Sequence, residues 1–130
     1  DLADGALARL TGKATPFGKF LDSTLDRVGE GVMLVAIAYC LSLERNAPAV
    51  AAAVLALLCG QLTSYIRARA ETLGLSCTVG LATRPERVAI MVAGLLLDAL
   101  PIAVYALATV SSITAGQRFC FVYKESLAAR

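Results

Sequence analysis

Polar residues are bunched along this chain, and the stretches between them set its architecture. Ala47–Ile66 runs for 20 residues without a charge, and Ala99–Gln117 for 19. Gly31–Leu43 adds 13 and Val88–Leu97 adds 10. A helix of about 20 apolar residues crosses the ~30 Å hydrocarbon core of a bilayer. The two long runs qualify directly. The shorter two qualify if each helix continues past its apolar stretch into a polar region lined by protein. The pattern predicts four helical segments near 19–43, 48–66, 83–98 and 99–122, and hence an all-α, polytopic transmembrane helical bundle. Local signals mark the ends. Asn46-Ala47-Pro48 reads as a turn with a proline suited to a helix start. Thr83-Arg84-Pro85-Glu86 has the spacing of a capping box. Asp98 to Pro101 breaks the last apolar stretch into two helices or kinks one. Residues 73–82, with Gly74 and Gly80, form one connecting loop, and Gly12, Thr15, Pro16 and Gly18 form another.

Composition narrows the class. Hydrophobic residues make up 58% of the 130 and charged residues 17%, against roughly 25% charged in soluble domains. Such a chain collapses, so disorder is excluded. Four cysteines without short paired spacing and no histidine exclude a disulfide scaffold and a zinc ribbon. The thiols read as small free hydrophobes. A net charge of +2 says little by itself, and no nucleic-acid partner is expected. Its distribution says more. If the four segments alternate across a membrane, eleven of the twelve basic residues fall on one side and only Arg45 on the other. The excess of positive charge in inner loops places that side in the cytoplasm, for a protein of the cytoplasmic membrane.

The acids are placed where chemistry would need them. Asp1 and Asp4 are three apart and share one helix face; Gly18, Asp22 and Asp26 are four apart and share another. The eight residues between Arg9 and Gly18 allow the two helices to run antiparallel, bringing four carboxylates to the cytoplasmic mouth of the bilayer. Four clustered carboxylates repel one another, and divalent cations resolve that conflict. An oxygen-only set suits Mg²⁺ or Mn²⁺. A pair of such ions is a common device for displacement at phosphorus. Arg9 can neutralise phosphate oxygens. Gly5, Ala8 and Gly18 are small enough to let a bulky ligand approach the backbone.

The string D-x2-D-G-x2-A-R-x8-G-x3-D-x3-D, filled at every specified position from Asp1 to Asp26, resembles the signature of the CDP-alcohol phosphatidyltransferases. The resemblance implies an integral membrane enzyme of six transmembrane helices, about four to five of them represented here. It transfers a phosphatidyl group from CDP-diacylglycerol to an alcohol and releases CMP. It implies that Asp1, Asp4, Asp22 and Asp26 hold two metal ions, and that Asp26 is the base for the acceptor hydroxyl. Gly5, Ala8, Arg9 and Thr15 would bind the CDP moiety. The motif begins at Asp1, so residues 1–130 are expected to form a single domain of this family lacking its N-terminal spans. A homodimer is a further implication.

A second pattern bears on the acceptor. Ser64-Tyr65-Ile66-Arg67-Ala68-Arg69-Ala70-Glu71 closes one segment, Arg84-Pro85-Glu86-Arg87 opens the next, and Gln117-Arg118 ends the last. Arginines at inner loops also serve topology, and Arg69, Lys124 and Arg130 are given no other role. The rest exceed what a metal-bound donor requires and suit a second anionic ligand, since guanidinium recognises phosphate through two parallel hydrogen bonds. The pattern resembles the phosphatidylinositol-phosphate synthases of actinobacteria, which use inositol phosphate. By that resemblance Arg67, Arg84, Arg87 and Arg118 would bind the acceptor phosphate. Two alternatives stand beside it: a phosphatidylglycerophosphate synthase taking glycerol 3-phosphate, and a non-enzymatic metal-binding membrane module or transporter, whose carboxylates would lie nearer the bilayer midplane.

Overall fold

A computed structural model describes residues 15–129, and these fold into four helices: α1 (Pro16–Leu43), α2 (Ala47–Thr72), α3 (Arg84–Leu96) and α4 (Leu100–Ala128). No strand occurs among the described residues. Two compact units are distinguishable, residues 1–32 and residues 33–130. The first holds the polar half of α1, and the second holds everything from Met33 onward.

The helix limits follow from local chemistry. Thr15 caps α1: its Oγ1 accepts the Gly18 N–H at 3.0 Å, and its carbonyl accepts the Lys19 N–H at 3.1 Å. The turn expected to include Pro16 and Gly18 therefore ends earlier, because proline without an N–H fits the first helical turn and the threonine hydroxyl satisfies the next donor. Asn46 caps α2 through Oδ1, which accepts from Ala49 N at 3.3 Å. Thr83 precedes α3, and both its N–H, at 2.9 Å, and its hydroxyl donate to Glu86 Oε2. The stretch around Asp98 to Pro101 resolves into two helices, with Pro101 in the first turn of α4.

One device closes α1, α2 and α3. Arg45 (φ +57°), Gly74 (φ +79°) and Asp98 (φ +51°) adopt the left-handed region just past the helix. The next N–H then reaches back five residues: Asn46 to Leu41 O at 3.1 Å, Leu75 to Ala70 O at 2.9 Å, Ala99 to Gly94 O at 2.9 Å. These bonds satisfy carbonyls that the helix leaves open. Glycine takes this conformation freely, whereas Arg45 and Asp98 adopt it at some cost.

Within the second unit, α4 packs against both α2 and α3. The core joins Leu34, Ile37 and Leu41 of α1 to Ala49, Ala52, Ala53 and Ala56 of α2, Met91 of α3, and Val104, Leu107 and Ala108 of α4. The buried face of α2 is made of small residues, continuing through Cys59, Gly60 and Thr63, while Leu55, Leu58, Leu62 and Tyr65 point outward. In water that arrangement would be inverted. In lipid it is favourable, because small residues let helix backbones approach and large apolar ones meet acyl chains. Helices α2 and α4, at 26 and 29 residues, are long and apolar enough to span a bilayer. α1 and α3 match the first and third expected segments. α3 has 13 residues, about 20 Å at ~1.5 Å per residue, shorter than a full crossing.

Candidate functional site

The polar half of α1 carries Asp22, Asp26 and Glu30 at successive four-residue steps, one stripe along the helix. Asp22 is exposed, Asp26 half-buried and Glu30 buried. Hydroxyls and a cation on the same turns bond their own helix: Ser23 Oγ to Lys19 O at 3.0 Å, Thr24 Oγ1 to Phe20 O at 2.8 Å, Arg27 Nη1 to Ser23 O at 2.8 Å. Asp22 and Asp26 thus stand about 6 Å apart along the axis and offer oxygen donors only, a set that fits a hard divalent cation. Among the described residues, no three acidic or cysteine side chains gather closely enough to hold one ion. The other expected members, Asp1, Asp4, Gly5, Ala8 and Arg9, lie outside the described residues. Thr15, expected to bind the donor, uses its hydroxyl to cap α1. The burial of Glu30 was not foreseen. Its spacing from Asp26 was the available signal, masked by the apolar run that follows it.

The second unit assembles a basic end from the C-terminal turns of α2, the 73–83 connection, the first turn of α3 and the Gln117-Arg118 pair of α4. Arg118 is only 5% exposed. Its Nε donates to Val79 O and its Nη1 to Thr63 O, each at 2.9 Å. A buried guanidinium is thereby satisfied by backbone carbonyls of two other segments, as burial of a charge demands. The charges of Arg67 and Arg87 lie close enough to act on Arg118. Arg87 is 3% exposed. Arg67 is exposed and pairs with Glu71 at 3.3 Å, a contact worth little at a solvated surface. Arg84 is exposed at the start of α3. The structure therefore brings Arg67 and Arg87 each within electrostatic reach of Arg118, and Arg84 sits three residues before Arg87 on the same helix.

Sequence reasoning missed what holds this end together. The connection lies against α4 through Leu81 N–H to Gln117 Oε1 at 2.8 Å and Ala82 N–H to Thr114 Oγ1 at 3.2 Å. Gly80, at φ +146°, would place any Cβ 2.8 Å from Thr114 Cγ2. A glycine in a loop and a polar pair near a helix end were visible signals, but their partnership spans more than 30 residues.

Comparisons with known proteins identify the family and the fold. A family model described as CDP-alcohol phosphatidyltransferase matches residues 1–116. The chain is 39% identical over 130 residues to the archaetidylinositol phosphate synthase of Methanothermobacter thermautotrophicus, covering 95% of this chain and 64% of that protein. It is 38% identical over 136 residues to the phosphatidylinositol phosphate synthase of Corynebacterium glutamicum, covering 98% and 62%. The chain thus spans somewhat under two thirds of these relatives. Among solved structures, it superposes with a TM-score of 0.88 and 36% identity on the Mycobacterium tuberculosis phosphatidylinositol phosphate synthase in complex with manganese and citrate, covering 95% of this chain and 64% of the other. The same enzyme with CDP-DAG bound gives 0.87 at 36% identity, covering 95% and 67%. The helical arrangement, the Asp-rich opening and the match over residues 1–116 lead to one conclusion: this chain belongs to the CDP-alcohol phosphatidyltransferase family of membrane proteins.

Proposed function

We propose that this chain carries the catalytic domain of a metal-dependent enzyme that transfers the phosphatidyl group of CDP-diacylglycerol to inositol phosphate. The products are phosphatidylinositol phosphate and CMP. The observation that carries the acceptor assignment is the gathering of Arg67, Arg87 and Arg118 at one end of the second unit, two of them buried. Like charges collected in a shielded place need an anion, and a phosphate monoester supplies one. The two relatives named above share inositol phosphate in their names and differ in the lipid.

Asp1, Asp4, Asp22 and Asp26 would hold a pair of Mg²⁺ or Mn²⁺ ions. Bound there, the ions would neutralise charge on the pyrophosphate and on the departing CMP. A relative's structure with manganese supports a divalent metal. Gly5, Ala8, Arg9 and Thr15 would line the path of the CDP group, a donor bound in a relative's structure. Asp26 accepts the proton of the inositol hydroxyl. The resulting oxygen attacks the lipid-side phosphorus, a P–O bond forms, and the bond to CMP breaks. Arg67, Arg84, Arg87 and Arg118 grip the acceptor phosphate and orient its hydroxyl. Positioning and fixed charge supply most of the acceleration in such transfers. The basic helix ends face the cytoplasm in this reading, at the cytoplasmic membrane, where a polar acceptor is available.

The test is CMP release by the purified, lipid-reconstituted protein supplied with CDP-diacylglycerol and, in turn, inositol phosphate, free inositol and glycerol 3-phosphate. Turnover with inositol phosphate alone is expected. Preference for glycerol 3-phosphate would reassign the acceptor, and metal flux without lipid turnover would replace the enzyme with a transporter.

A further inference from the structure

The 73–83 connection is held by α4 over four consecutive residues. Val79 O receives Arg118 Nε, Leu81 N–H reaches Gln117 Oε1, and Ala82 N–H reaches Thr114 Oγ1. Between them Gly80 passes so close to Thr114 that only a residue without a side chain fits, in a left-handed backbone region that also favours glycine. Thr114, Gln117 and Arg118 share one face of α4, three and four residues apart. A loop of this length can be solvated on a surface, so joining two helices does not require the strap. What the strap does is specific. It places Val79 O where the buried Arg118 guanidinium needs it. It also leads directly into Thr83 and the first turn of α3, the turn that carries Arg84 and Arg87. Arg67 and Arg87 both repel the buried Arg118, so its place must be imposed by bonded partners.

We infer that Thr114 and Gln117 are positioning residues. With Gly80, they hold Arg118 and the Arg87-bearing turn at the spacing that receives the phosphate of the acceptor. The inference rests on the acceptor assignment proposed above and extends it to residues that do not touch the ligand. Losing either strap bond lets residues 79–83 depart from α4, and the cations no longer meet one phosphate. Donor binding, assigned to the Asp-rich opening, is untouched.

Three variants test this. Thr114→Val keeps the shape and removes the acceptor of the buried Ala82 N–H. Thr114→Ser restores the hydroxyl. Gln117→Leu acts at an exposed position, where folding is at little risk. Steady-state CMP release gives kcat and the KM of each substrate, and isothermal titration with inorganic phosphate gives affinity without turnover. Thr114→Val and Gln117→Leu are expected to raise the acceptor KM about three- to tenfold, the effect of roughly one net hydrogen bond. Thr114→Ser should stay near wild type, with kcat and the CDP-diacylglycerol KM within about twofold throughout. An unchanged acceptor KM in both, or an equal rise in the donor KM, overturns the inference. If the wild-type protein turns over none of the acceptors, the proposed function falls and titration decides this point separately. Phosphate binding weakened by both variants upholds positioning; binding that is absent, or equal in all proteins, overturns it.

Discussion

Gly94→Ala probes a close approach between α3 and α4. A Cβ at Gly94 would stand 2.4 Å from Ala103 Cβ and 3.7 Å from Ala99 O. Carbon atoms settle at roughly 3.5–4.0 Å, so the two helices would have to separate by about 1.1–1.6 Å. Forcing an extra methyl into a packed interior costs about 1–3 kcal/mol. Replacing glycine within a helix recovers about 1 kcal/mol, leaving a net loss of about 0–2 kcal/mol. Ala103→Gly removes the opposing Cβ and alone costs about 1 kcal/mol in helix propensity. Combined with Gly94→Ala, it moves the methyl from one helix to the other and relieves the clash. Thermal unfolding of the reconstituted protein reads this, at about 4 °C per kcal/mol for a domain of this size. The double variant should melt above the sum of the singles, with a coupling of about 1–3 kcal/mol. Additivity within ~0.5 kcal/mol would mean that these two positions are not in contact and that the close crossing is wrong.

Asp98→Gly should raise the melting temperature by a few degrees, relieving about 1–2 kcal/mol of left-handed strain against about 0.5–1 kcal/mol of added backbone entropy; a lower melting temperature would mean that Asp98 makes a compensating contact. Asp26→Asn should lower CMP release at least about 100-fold, the usual range for a missing proton acceptor, with an unchanged melting curve, and full turnover would remove the role given to Asp26. EDTA should abolish CMP release and added Mn²⁺ or Mg²⁺ should restore it; turnover that persists in EDTA would dismiss the metal.

The helices were legible because each limit has a local cause. Charge-free runs, Asn46 with Pro48, Thr83 with Glu86, and the Asp98–Pro101 break all act within four residues of where they sit. The start of α1 was placed late because the capping hydroxyl of Thr15 was read as part of a turn. The arginines were singled out from charge placement, and the burial of Arg87 and Arg118 was not. Burial depends on which segments cover a side chain, and here the cover comes from Thr63 and Val79, 55 and 39 residues from Arg118. Thr114, and the loop bond of Gln117, escaped notice for the same reason: a polar residue near a helix end carries no mark of the distant N–H from which it accepts. Glu30 was hidden by composition, a lone acid at the edge of an apolar run.

The alanine-rich face of α2 reverses the usual pattern of mutational sensitivity. In a water-soluble core, trimming a side chain does the damage, because a void opens. Here Ala49, Ala52, Ala53 and Ala56 have almost nothing left to trim, and the harm comes from growth. Changing any of them to valine or leucine, a mild swap on most similarity scales, would wedge neighbouring helices apart, whereas serine, chemically more distant, would be accommodated. A saturation scan of this surface should therefore rank replacements by volume before polarity, while Leu55 and Leu58 on the opposite side should tolerate any greasy residue.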